Sequence, residues 1–166
     1  MATLLAIPVL AGLLILQSAL VSYIPLLHGT ADVVLLAVVA WSIQKRVRTA
    51  WAWGLIGGTL VGLLSAAPFV ATLAGYLAAV AFCVLLRQRV WQAPVLAMFV
   101  AVFFSTLMAQ LIIILTLRIQ SIPLPFWEAL NLVVLPGVLL NLLLAMPFYA
   151  LMGDLAGWLY PESLEM

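Results

Sequence analysis

Apolar residues fill the chain in long runs, and polar residues fall between those runs more often than inside them. Breaks at proline, glycine and charge predict an all-α integral membrane protein, a bundle of six transmembrane helices in one domain. The first span covers about 3–24 and stops at Pro25. It has no basic start and no small-residue cleavage site, so it is expected to remain as a permanent span. Asp32 stands where a helix N-cap would, opening a second span over 31–44 that ends at Lys45, Arg46 and Arg48. The third, 50–65, breaks at Ser65-Ala66-Ala67-Pro68, and the fourth, 69–86, ends at Arg87 and Arg89. The fifth covers 94–117 and the sixth 128–152, leaving 153–166 as an amphipathic, acidic tail at the interface. A bilayer takes about 20 residues per helix, so the second and third spans are short. Tilt, shielding by neighbours, or a single re-entrant hairpin made of both are the alternatives.

Composition strengthens the membrane reading. Of 166 residues, 68% are hydrophobic and 7% charged, against roughly 25% charged in soluble domains. Too few polar side chains exist to cover a surface in water, so hydrocarbon must solvate most of the exterior. A formal net charge of +1 provides no field to attract nucleic acid. Charge also orients the bundle. Lys45, Arg46, Arg48, Arg87 and Arg89 fall in two loops on one side, and Arg118 falls on the other. The positive-inside rule makes those two loops cytoplasmic, with both termini on the same side. Trp41, Trp51, Trp53 and Trp91 flank the basic loops, Trp127 marks the outer end of the sixth span, and Trp158 and Tyr160 suit an inner-interface tail.

Small residues recur every fourth position on several spans. Gly54, Gly58 and Gly62 line the third, Ala71, Gly75 and Ala79 the fourth, and Ala93, Ala97, Ala101, Ser105 and Ala109 the fifth. Gly137, Asn141 and Ala145 do so on the sixth, where Pro136 and Pro147 predict kinks. Such stripes let helix backbones approach closely, which holds bundles together or seats a partner's helix. The partner-docking candidates are Gly54, Gly58 and Gly62, or Ala97, Ala101 and Ser105. Six polar residues are expected within spans: Gln17, Ser18, Thr106, Gln110, Asn131 and Asn141. Each can be satisfied across helices, and a ligand cavity would need several of them to converge.

Candidate chemistry is sparse. Asp32, Glu128 and Asp154 are expected near a membrane surface, and mid-span positions hold no ionisable side chain. His28, the only histidine, has just Asp32 near it in sequence, too few ligands for a metal. Cys83, the only cysteine, permits no intrachain disulfide and reads as a small packing residue. There is no glycine-rich phosphate loop with a lysine, and no serine stands at helical spacing from a base. The chain is therefore expected to be no enzyme and to carry no cofactor.

Several stretches resemble the MreD family of bacterial rod-shape-determining membrane proteins. Leu14-Ile15-Leu16-Gln17-Ser18 is similar to an early LQSS-like stretch. Asp32-Val33-Val34-Leu35-Leu36 is similar to a PDLVLL-like start of the second helix. Gly54 through Leu64 resembles the family's glycine-rich third helix, and Pro136 through Tyr149 its closing helix. Two positions depart from the pattern: residue 31 is Ala where proline is frequent, and no acid follows Gly62-Leu63-Leu64-Ser65. A role resting on that acid does not carry over. The resemblance implies a bundle like the S component of energy-coupling-factor (ECF) transporters, in the bacterial cytoplasmic membrane. It implies binding to MreC, a single-span protein with a large outer β domain. Through MreC it implies a link between peptidoglycan synthases of the elongation complex and cytoplasmic MreB filaments. It implies no catalytic or cofactor residue. The alternative is a substrate-binding subunit of a small-molecule (vitamin) transporter. Loops around His28 and from Arg118 to Trp127 would then form a lid, with Arg118 pairing an anionic ligand group.

Overall fold

The computed structural model describes residues 2–23, 31–89, 93–121 and 125–161. Among them the fold is helical without strands: α1 (Ala2–Tyr23), α2 (Val33–Ser42), α3 (Ala50–Leu64), α4 (Phe69–Arg89) and α5 (Pro94–Ile119). A last long rod follows, made of α6 (Phe126–Ala129), a π-helical turn (Leu130–Val134) and α7 (Leu135–Leu159). Four helical stretches are long and apolar enough to cross a membrane: those at α1, α4, α5 and the α6–α7 rod. The shorter α2 and α3 are apolar as well.

The π turn sits just before Pro136, where the ring would otherwise collide with a carbonyl of the preceding turn. Widening that turn accommodates the proline. The rod also runs past the expected boundary at residue 152, to Leu159.

The helices form a wall running α1, α3, α4, α5, α7, with α2 at its centre and touching all five. All ten residues of α2 are buried. A helix apolar on every face has to be enclosed, and Val33-Val34-Leu35-Leu36-Ala37-Val38-Val39-Ala40 is apolar on every face. At about 1.5 Å per residue α2 is only about 15 Å long, half of a ~30 Å hydrocarbon layer. The second expected span is thus a half-length internal helix.

Glycine and alanine stripes bring the wall helices together. A methyl group added at Gly58 would lie 3.0 Å from Tyr76 Cβ, and one at Gly62 would press on the Phe69 ring, both on α4. One added at Gly75 would lie 3.0 Å from the Ala109 Cα on α5. Ala97, Ala101 and Ser105 are likewise buried, and Ser105 Oγ lies 3.8 Å from Cys83 Sγ of α4. The glycine stripe therefore packs on α4, and Ser105 of the second stripe does so as well, while Ala97 also lines a cavity at the basic end.

The loop after α2 meets the end of α4. Arg87 Nη1 donates to the carbonyls of Val47, Ser42 and Gln44, at 2.8, 3.3 and 3.4 Å. Beside them Trp41 and Trp53 stack with ring centroids 4.3 Å apart and planes at 18°. Trp53 Nε1 donates to the Ala2 carbonyl at 3.1 Å, and Tyr160 packs near Trp41. The start of α1 and the end of α7 therefore share the basic end of the bundle. Trp41 and Trp53 were expected at the lipid interface but are 0% exposed. Stacking inside the protein satisfies them better than a headgroup layer, while Trp51, Trp127 and Trp158 do face outward. Trp91 and His28 lie outside the described residues.

Leucine at Gly75 should cost at least about 2 kcal/mol, since backbone cannot yield as a side chain can. Gly12→Leu should be neutral, because a Cβ there meets nothing within 4 Å. Cys83 is buried and is the sole thiol. The temperature at which it reacts with a thiol dye therefore reads both variants. Ser42 Oγ is buried without a hydrogen-bond partner among the described residues. Ser42→Ala should stabilise the protein by about 0.5–1 kcal/mol and so raise the same midpoint.

Candidate functional site

A helix leaves its first N–H groups without intrahelical acceptors. For α2 these groups are met by three side chains, with a fourth behind them. Asp32, the N-cap, accepts from Leu35 N at 2.9 Å through Oδ1. Gln17 of α1 presents Oε1 to Val33 N at 2.9 Å and Val34 N at 3.3 Å. Asn141 of α7 accepts from Asp32 N through Oδ1 at 3.0 Å. Asn141 in turn donates from Nδ2 to Thr106 Oγ1 of α5 at 3.0 Å. Tyr76 of α4 donates its hydroxyl to Asp32 Oδ1 at 2.7 Å, a charge-assisted length when the carboxyl is ionised. At the other end of α2, Arg87 covers the exiting carbonyls, placing a cation at the negative pole of the helix dipole.

Depth follows from α4. Tyr76 stands eleven residues before Arg87 on that helix, about 16 Å at ~1.5 Å per residue. Asp32 therefore lies about 16 Å along α4 from the level of Arg87, beside the recess that Ser65 and Ala67 of the α3–α4 connection also line.

A cavity of about 230 Å³ adjoins this cluster, with Gln17, Asp32, Tyr76, Thr72 and Gln110 among its lining. A shallower recess of about 370 Å³ lies between α1 and α3 and is lined by Leu14, Ile15, Ser18 and Leu64. The two share Gln17, Val61 and Ser65, so they form one recess at the end away from the basic loops.

Of the six polar residues expected within spans, Gln17, Thr106 and Asn141 converge on the head of α2, and Gln110 lines the cavity beside it. Ser18 donates to the Ile15 carbonyl of its own helix. Asn131 is exposed in the π turn. Arg118 is exposed at the end of α5. The docking candidates Gly54, Gly58, Gly62, Ala97, Ala101 and Ser105 lie away from the recess, in helix contacts. Tyr76 was missed by sequence reasoning; its one signal was a phenol in mid-span, which needs a partner in hydrocarbon. Among the described residues no three His, Cys, Asp or Glu side chains gather as a metal site would require.

No family model, no curated protein and no solved structure matches this chain.

Gln17→Leu should destabilise the protein by about 2–4 kcal/mol, since it strands two buried N–H groups at ~1–3 kcal/mol each. Tyr76→Phe should cost only about 1 kcal/mol, because Asp32 keeps its bond to Leu35 N. Thermal unfolding followed through Cys83 would order the two variants.

Proposed function

We propose that this chain is a multi-pass membrane scaffold rather than a conduit. In particular, we read it as an MreD-like subunit of bacterial cell elongation. In that role it holds MreC and, through it, links peptidoglycan synthases to MreB. The bundle would sit in the cytoplasmic membrane with the basic end and both termini inside. The observation that carries the reading is α2. Its ten buried residues occupy the centre of the wall, where a moving solute would otherwise pass, and tie five helices into one body. Such a body offers partners its outer surface. With the glycine stripe packed on α4, the open feature is the recess shared by α1, α3 and the head of α2. Its mixed lining suits a membrane-proximal segment of a partner, with apolar contacts from Leu14 and Leu64 and polar ones from Gln17 and Gln110.

One feature supports a second reading. Asp32, Tyr76, Gln17 and Gln110 converge on a cavity that suits a small polar solute. In that reading the chain is a substrate-binding subunit similar to an S component of a vitamin transporter.

Crosslinking in native membranes, mild-detergent capture and mass spectrometry separate the two. The scaffold reading expects a single-span protein with a large outer β domain, together with cell-wall synthases. Paired ATPases with a coupling membrane subunit would overturn it in favour of the transporter. Ser65 is exposed at the rim of the recess, away from the bonds that hold α2. Ser65→Trp should therefore lose partner recovery at least tenfold while the unfolding midpoint stays within a degree or two. Full recovery with that variant would move the docking surface elsewhere.

A further inference from the structure

The basic end of the bundle holds the largest concavity described, about 450 Å³, enclosed by the end of α2, the end of α4, the start of α5 and the last turns of α7. Three cations line it: Lys45 and Arg46 from the loop after α2, and Arg87 from α4. None of the described residues lining it is acidic. Arg87 is fixed in place because Nη1 is bonded to three carbonyls. Gln44 is pinned too, donating from Nε2 to the Tyr149 carbonyl at 3.3 Å. Small residues create the space: Ala97 on α5, and Gly153, Ala156 and Gly157 on α7. A Cβ at Gly157 would meet nothing within 4 Å. Outside the cavity, the neighbouring surface is apolar, with Val95, Leu96 and Trp158 exposed.

A cationic cavity at a helix-bundle end, bordered by apolar surface, matches the chemistry of one ligand class. It needs an anion at headgroup depth, joined to hydrocarbon that continues down the outer helices. Basic pockets between transmembrane helices take anionic headgroups for this reason. The volume also falls within the usual range for a small-molecule site. We propose that this cavity seats the phosphate-bearing headgroup of an anionic phospholipid, with its acyl chains along the outer faces of α5 and α7. The site is separate from the recess at the head of α2 and does not depend on which partner that recess takes. Its occupant would brace the end of α7 against the loop after α2.

The test uses the full chain, stripped of lipid in neutral detergent. Phosphatidylglycerol is then added, with phosphatidylcholine of the same acyl chains as the comparison. Unfolding is read through Cys83. Phosphatidylglycerol should raise the midpoint at concentrations where phosphatidylcholine does not. Arg46→Gln should raise the half-saturating concentration about fivefold, the worth of one cation near an anionic surface. Arg48→Gln removes the same charge from the same loop but does not line the cavity, so it should leave binding unchanged. Gly157→Leu fills the space without touching a charge and should abolish the lipid-specific shift, while Gly12→Leu should keep it. If Gly157→Leu proves unstable without lipid, the Arg46 and Arg48 pair still decides. Equal effects of those two substitutions would reduce the binding to general surface attraction and overturn the proposal. So would equal stabilisation by both lipids, or a shift reproduced by inorganic phosphate alone.

Discussion

A helix whose first peptide groups are enclosed by protein has to find partners for them there, because little water is at hand to take them. With ten residues, α2 faces that constraint at its N-terminal end. Each unmet N–H would cost several kcal/mol in such surroundings, so the cluster that receives them organises the fold. Gln17, Asp32, Tyr76 and Asn141 come from α1, the α2 cap, α4 and α7. Each of those helices must hold its position to within a few tenths of an ångström for the bonds to form. The C-terminal end is met by one guanidinium, which also ties the loop after α2 to the end of α4.

Packing and polarity depend on each other in this arrangement. Gly54, Gly58 and Gly62 let α3 lie on α4, and Gly75 lets α4 lie on α5. Only that closeness brings Tyr76 to Asp32 and Thr106 to Asn141. In the other direction, the bonds around α2 give the wall helices a fixed register that van der Waals contact among leucines alone would leave soft. Small residues and buried polar residues, which were separate patterns along the chain, act as one device.

The helical pattern was legible because membrane helices announce themselves through long apolar runs, and the expected segments overlap the observed helices, the last of which runs on to Leu159. The enclosure of the second was not legible. Its shortness was visible, but nothing in Val33–Ser42 says that protein covers every face, because a fully enclosed helix and a lipid-facing one have the same composition. The tryptophan pair was misread for a related reason: Trp41 and Trp53 sit where interfacial anchors belong, and only tertiary contact distinguishes a stack from a belt. Gln17, Thr106 and Asn141 could be picked out as polar residues in need of partners, yet their convergence depends on which faces of three helices meet. The glycine stripes were visible as close-packing surfaces. That they meet α4 and not another chain lies in the tertiary arrangement.

The central helix also bears on how the chain is made. Asn141 closes the head of α2 from 109 residues further along the sequence. When α2 leaves the ribosome, its first peptide groups have no such partner, and it is too short to settle across the bilayer alone. The bond to Asn141 can form only once α7 has been synthesised, so a late part of the chain completes the head of α2. A chain stopped before Asn141 would present an unfinished, degradable intermediate, however hydrophobic its earlier helices are.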